Sequence, residues 1–272
     1  MDIFDSYQLI RESVVAFVAK DVAPPTGQDA PQSFPPILGT GVAVREDGLV
    51  VTNDHVIAAI GKAVSSSGQK IAAVFFKRFP EGMVGIPVDL IGNLSLTDNP
   101  FENEVSYGPK KPDLGFIRIA QRGIPPARFS DSTEYLKEGA MVGTAGFPLG
   151  NTPMRVAQMV GPTLQSGIIS AVFPYSGFSS PHGFAINVMS HPGSSGSPVF
   201  SPSTAEVLGI VWGGFSQVAN FTFVVPSRYV IKCLTFDLEQ VGLPRLSTGV
   251  PEFSNSLDAA RKQMIQKAKK AQ

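Results

Sequence analysis

Three side chains in this sequence are of types that could carry nucleophilic chemistry together. His55 follows an apolar run in Thr52-Asn53-Asp54-His55-Val56-Ile57, and Asp113 opens another, 58 positions later. Ser195 comes 82 positions after that, within Pro192-Gly193-Ser194-Ser195-Gly196-Ser197-Pro198. A serine hydroxyl is a poor nucleophile until an imidazole takes its proton, and the imidazole needs a carboxylate to fix its tautomer. Acyl transfer also needs backbone N–H groups aimed at the developing oxyanion. Gly193, two residues before Ser195, permits a tight turn, so the N–H groups of Gly193 and Ser195 are the expected donors. A lone histidine after a strand would be an ordinary packing or surface residue; its two partners in this order raise the reading above that.

The elements that must bring these residues together read as short strands. Gly and Pro contribute 27 and 23 of the 272 residues, leaving little room for long helices; an extended coiled coil and a disordered tail protein are both excluded. The first residues, to about Arg11, fit a short helix, and 13–18 a strand. Residues 21–37 carry five prolines and read as an irregular loop. Apolar runs at 41–44 and 49–51 flank the Asp47-Gly48 turn signal. Further strands are expected at 71–76, 88–91 and 114–119, with a long polar loop at 95–111. A second series follows at 141–145, 167–173, 184–188, 198–200, 207–212 and 221–225. Two runs of about six strands make an all-β chain with two β-barrels.

The expected boundaries are an N-terminal segment and loop at 1–38, a first barrel at 39–120 and a connection at 121–138. A second barrel with a C-terminal helix follows at 139–240, then a basic tail at 241–272. The helix is expected over 227–239. The tail carries five basic residues against Asp258 over 256–272 and reads as a solvated or frayed helix, with a partner-docking helix as the alternative.

These residues resemble the trypsin-like peptidases, and most closely the protease domain of the HtrA/Deg family. The similar blocks are Gly39-Thr40-Gly41-Val42 through Asp54-His55-Val56, Asp113-Leu114-Gly115-Phe116-Ile117, Gln165-Ser166-Gly167-Ile168-Ile169-Ser170-Ala171 and Phe223-Val224-Val225-Pro226-Ser227. They stand in the family's order across residues 12–235. The resemblance implies two six-stranded antiparallel barrels with the site between them. It also implies His55 as general base then acid, Asp113 as its orienter, Ser195 as nucleophile, and hydrolysis of peptide bonds through an acyl-enzyme.

The chain departs from the family at Ser194, Ser197 and Asp54, the last read as a turn residue. About 40 residues follow Lys232, too few for the PDZ module that usually comes next, and family analogy admits a homotrimer. By the same resemblance Val211, Trp212 and Gly213 border the substrate, with plain core packing as the alternative for Trp212. Met189 and Ser190 should lie at the base of the primary pocket, narrowed by Thr222. No acid stands there, so small or medium apolar residues are expected before the cut.

The remaining signals exclude other classes. Lys+Arg and Asp+Glu number 22 each, so no net field favours nucleic acid or an anionic membrane. His182 and His191 read as surface residues, with a substrate contact open for His191. Three scattered histidines and the single Cys233 give no metal-ligand spacing. No phosphate-cradling motif occurs, so no cofactor is expected. Cys233 reads as an inert buried thiol. The absence of disulfides and of a basic, apolar start favours a cytoplasmic place, although a removed leader would fit as well. The expected partners are a protein or peptide substrate and a regulatory protein. The alternative function is a latent or inactive protease-fold protein that binds peptides.

Overall fold

The computed structural model describes residues 1–19, 36–101, 111–148, 160–174, 181–214 and 220–270. Two closed six-stranded antiparallel barrels account for all twelve described strands. The first orders β1 (Val14–Ala19), β2 (Ile37–Arg45), β3 (Leu49–Thr52), β6 (Gly115–Ile119), β5 (Gly82–Ser95) and β4 (Ile71–Phe79). The second orders β10 (Pro198–Phe200), β11 (Val207–Gly214), β12 (Thr222–Pro226), β9 (Gly183–Ile186), β8 (Thr163–Phe173) and β7 (Met141–Gly146).

Strands β1, β2, β3 and β6 are buried on both faces, whereas β5 alternates buried and exposed residues. Successive side chains of a strand point to opposite sides. Val15, Phe17, Val50 and Ile117 accordingly join the core inside the first barrel. Their neighbours Val14, Ala16, Val51 and Phe116 join a different core, which also contains Phe147, Phe200 and Ile210 of the second half. A Phe76–Phe147 ring contact at 5.4 Å belongs to this seam. The second barrel is filled by Val142, Ile169, Phe184, Val199 and Val224. The two barrels thus share a packed wall, which fixes their relative position and therefore any site assembled from both.

Several expectations need correction. The first barrel begins at Val14, so its first strand lies inside the segment set apart as 1–38. Residues 54–67 form an unexpected helix, α2 (Asp54–Ser67), after α1 (Ile3–Ile10). Val56, Ile57 and Ile60 lie at helical spacing and are buried in the first barrel's core. The C-terminal helix, α3 (Ser227–Leu234), is shorter than 227–239. The prolines of 21–35 and most of the 95–111 loop lie outside the described residues.

The tail is neither solvated nor frayed at its start. Helix α4 (Phe253–Lys270) lies on the first barrel, with Phe253 6% exposed and 5.1 Å from the Phe75 ring. Leu257, Ala260 and Met264 pack on the same core. Arg261 sits over the Phe79 ring and pairs with Glu81 at 2.6 Å. No described helix is long and apolar enough to cross a membrane.

Candidate active site

The His55 and Asp113 segments meet where α2 leaves β3. Asn53 is the N-cap of α2, but its side chain does not cap the helix. It reaches across instead, and its Nδ2 donates to the Asp113 carbonyl at 2.8 Å. The first N–H groups of a helix have no internal partner, and Asp113 supplies one. Its Oδ1 accepts from the His55 backbone N–H at 3.1 Å, while Oδ2 lies 2.5 Å from His55 Nδ1. The carboxylate side chain is 24% exposed and the imidazole 48%. With Nδ1 facing a carboxylate, Nε2 is left free to accept a proton.

Asp54, the first residue of α2, is not a mere turn residue. It pairs with Lys111 at 2.8 Å, and Lys111 also donates to the Leu96 carbonyl at 2.7 Å. Burial works against the Asp54 charge. Hydrogen bonds from Lys111 and Ser95, with the nearby charges of Lys111 and His55, outweigh it and hold the carboxyl below its usual range.

Ser195 comes from the turn before β10. His191-Pro192-Gly193-Ser194 closes with the Ser194 N–H on the His191 carbonyl at 2.9 Å, and Gly193 has φ +95°. A positive φ at the third position with proline at the second is the signature of a type II turn. A second turn, closed by Ser197 N–H on the Ser194 carbonyl at 3.0 Å, holds Gly196 at φ +87°. A Cβ at Gly196 would lie 1.8 Å from the Thr40 carbonyl oxygen, so only glycine fits this approach to β2. The N–H groups of Gly193 and Ser195 find no acceptor among the described residues.

Thr40 on β2 and Thr52 on β3 set this turn against the first barrel. The Thr40 N–H donates to the Ser195 carbonyl at 2.8 Å, and Thr40 Oγ1 to the Gly193 carbonyl at 2.7 Å. Thr52 Oγ1 in turn donates to the Thr40 carbonyl at 2.7 Å. Thr52 stands three residues before His55, so these bonds bring the serine turn to the histidine segment. No hydrogen bond joins Ser195 Oγ to the His55 ring among the described residues; without substrate such bonds are often long.

Four of the residues expected around the substrate, Val211, Met189, Ser190 and Thr222, gather next to Ser194 and Ser197 of the serine turn. Trp212 and Gly213 lie on β11 beyond Ile210, the last residue of that strand to pair with β10. On that side no described strand pairs with Trp212–Gly214, and a Cβ at Gly213 would meet nothing within 4 Å. Trp212 is half-buried, packs against the core and stacks on Phe223 at 5.3 Å. Val211, Met189, Ser190 and Thr222 line one small cavity of about 10 Å³, shared with Thr144 and Ser197. Thr222 is fully buried, its Oγ1 donating to the Val188 carbonyl at 2.5 Å. Met189 is 40% exposed and so stands at the cavity's rim, not at its base.

His182 and His191 are partly buried, and the backbone of His191 belongs to the serine turn. Cys233 is buried and its thiol is pushed up to about 12 by burial. No group of three or more metal-ligating side chains occurs among the described residues. A groove of about 810 Å³ between α2 and β5 contains none of the three central residues. Sequence reasoning missed Thr40, Asn53 and Lys111; the glycines flanking Thr40 were the one local hint of a close approach there.

Comparison with known proteins bears on the fold and the family. A probable periplasmic serine endoprotease, DegP-like, from Chlamydia pneumoniae is 26% identical over 215 residues, covering 75% of this chain and 35% of its own. The chain thus spans about a third of that relative's length. Among solved structures, the HtrA-type protease AlgW with a decapeptide superposes with a TM-score of 0.55 at 19% identity, over 88% of this chain and 68% of that one. Deg5 gives 0.52 at 20% identity, over 84% and 90%. An inactive form of Rv3671c from M. tuberculosis gives 0.52 at 17%, over 88% and 92%. These structures share the fold. The trypsin-like peptidase domain matches residues 39–210, which is more than half of the chain, and the chain belongs to that family.

Proposed function

We propose that the chain is a serine endopeptidase acting through an acyl-enzyme. The observation that carries the reading is the double contact of Asp113 with His55, facing a serine turn docked on Thr40 and Thr52. Ser195 Oγ attacks the peptide carbonyl while His55 Nε2 takes its proton. Asp113 stabilises the resulting imidazolium, and the N–H groups of Gly193 and Ser195 receive the oxyanion. His55 then returns the proton to the leaving amine, and a water repeats the sequence on the ester.

The substrate strand adds to the open edge of β11 at Trp212–Gly214 by main-chain pairing. The cavity beside the serine turn, lined by Ser194, Ser197 and the buried Thr222 among others, has room for about one water. That favours small residues before the cut, Ala or Val above Leu or Met. A charged residue there would find no partner. The DegP-like relative is named as periplasmic, which lends no support to the cytoplasmic expectation.

Labelling with a fluorophosphonate, read by intact mass, tests the reading. One adduct is expected, absent from Ser195→Ala and from His55→Ala. A second reading is a latent form switched on by a partner. In that case the purified chain stays unlabelled and an added activator restores the adduct. A peptide library cleaved after Arg would overturn the proposed specificity.

A further inference from the structure

The ladder between β3 and β6 ends at the pair Thr52 and Gly115. One step further, the Asn53 carbonyl turns away to accept from the Ile57 N–H at 3.2 Å, the first bond of α2. The side chain of Asn53 carries the pairing on instead, its Nδ2 donating to the Asp113 carbonyl at 2.8 Å. Asn53 is fully buried, and its Oδ1 has no hydrogen-bond partner among the described residues. A buried acceptor left unpaired costs stability, a cost that a smaller or apolar side chain would not carry. Stability is thus a poor reason for this amide, and its one side-chain bond goes to the residue that orients His55.

That bond reaches the Asp113 carboxylate through the Asp113 Cα. The Asp113 carbonyl and the Leu114 N–H belong to one peptide plane, and this N–H donates to the Pro112 carbonyl at 2.9 Å. The three-residue turn ties together the two peptides that flank the Asp113 Cα. Asn53 ties both of them to the start of α2. The Cα–Cβ bond of Asp113 then keeps one direction, and only its side-chain torsions remain for the two contacts with His55. The circuit is short, since His55 follows Asn53 by two positions. The Asp54–Lys111 pair spans the same two segments, but its side chains are 28% and 38% exposed and it grips two residues away from Asp113.

We propose that Asn53 is a positioning residue, whose buried amide holds the Asp113 main chain so that the carboxylate stays on both the N–H and the ring of His55. The proposal rests on the peptidase reading. Asn53 reaches no reacting atom; it acts through Asp113.

The test is fluorophosphonate labelling of wild type, Asn53→Ser, Asp113→Asn and the double variant, resolved into the first-order step and the binding constant. In that step Ser195 Oγ bonds phosphorus, fluoride leaves and the hydroxyl proton passes to His55. Serine is as good an N-cap as asparagine, but it stops one bond short of the Asp113 carbonyl and removes the unpaired Oδ1. The urea midpoint should therefore shift by less than about 0.5 M. The first-order step should slow about 10- to 100-fold, as when a catalytic group is displaced by about an ångström. Binding should stay within about two-fold of wild type, because the loss falls on the transition state alone. In the Asp113→Asn background the same change should slow the step less than about three-fold, since no carboxylate is left to position.

Wild-type labelling by Asn53→Ser overturns the proposal and leaves the peptidase reading standing. Equal slowing in both backgrounds also overturns it, because Asn53 then acts by a route other than Asp113. An inert wild type overturns the peptidase reading and the proposal with it. Should Asn53→Ser not fold, Asn53→Ala makes the same comparison; if neither folds, Asn53 is structural and the proposal fails.

Discussion

Asp113 holds His55 at two points, its Oδ1 on the main-chain N–H at 3.1 Å and its Oδ2 on ring Nδ1 at 2.5 Å. The carboxylate thereby takes the place of the absent side-chain cap of α2, at the end where a helix favours negative charge. Backbone and ring of His55 are fixed by one group, so the helix cannot shift without disturbing the imidazole.

Asp113→Asn separates these two duties. An amide keeps the size but presents its oxygen or its NH₂ to Nδ1 without the charge that stabilises an imidazolium. Labelling by a fluorophosphonate should slow by about 10⁴, as expected when the orienting carboxylate of such a triad is lost. Unfolding in urea should show a loss of only about 1 kcal/mol, the scale of a cap. Wild-type labelling in this variant would remove Asp113 from the mechanism.

Gly196→Ala tests the seating of the serine turn. The added Cβ meets the Thr40 carbonyl at 1.8 Å and Thr52 Oγ1 at 2.6 Å, at a φ of +87°. The φ alone costs about 1–2 kcal/mol in a residue with a side chain, and the backbone contact must open as well. The expected result is a lowered melting temperature and loss of labelling together, because β2 and the turn separate. Retained labelling would mean that the turn does not depend on β2.

Arg118 offers an asymmetry to measure. Its guanidinium is fully buried and meets Glu239 and, at 2.7 Å, Asp47; Glu239 and Asp47 are themselves 16% and 35% exposed. Removing one partner of a buried pair costs about 3–5 kcal/mol when it strands a charge. Glu239→Ala strands part of the buried cation, whereas Arg118→Met leaves two carboxylates that can turn to water or to Arg45. Urea unfolding should therefore show Glu239→Ala as the more damaging change. The opposite order would show that the aliphatic packing of Arg118 outweighs its charge.

The barrels were legible because apolar runs a few residues long, broken by Gly and Pro, leave few alternatives to short strands. His55, Asp113 and Ser195 stood out through residue type and order. Helix α2 was not read, since Gly61 and the Ser65-Ser66-Ser67 run are weak helix formers and its apolar stripe is only half a face. Thr40 was not read because its partner Gly193 is 153 positions away; the flanking glycines hint at a close approach, but nothing in a hydroxyl between them names a distant carbonyl. The docking of α4 was hidden for the same reason: its apolar side is thin, and the surface it covers belongs to a barrel built from the first half.

That docking predicts a stability effect far from the site. Phe253 completes the first barrel's core against Phe75. Phe253→Ala should cost about 3–5 kcal/mol, the usual cost of emptying a phenylalanine site. Deleting 253–272 should cost at least as much and expose apolar surface to a dye such as ANS. Unchanged urea midpoints in both would show that the helix rests on the barrel without supporting it.

The ion pair of Asp54 with Lys111 gives a pH signature with a definite sign. The Asp54 carboxyl is held below its usual value, against the cost of burial, by Lys111 and Ser95 and by the charge of His55. A carboxyl lowered on folding adds stability above its unfolded value, about 3.9, and loses it as pH falls through the folded one. Both side chains are roughly a third exposed, so solvent screening limits the contribution to less than about 1 kcal/mol. Wild type should exceed Lys111→Met by that small, constant margin from pH 5 to 8, and the margin should close below about pH 4. Added salt should narrow it at neutral pH. A margin that instead grew on acidification would mean that Lys111 acts through the Leu96 carbonyl and not through Asp54.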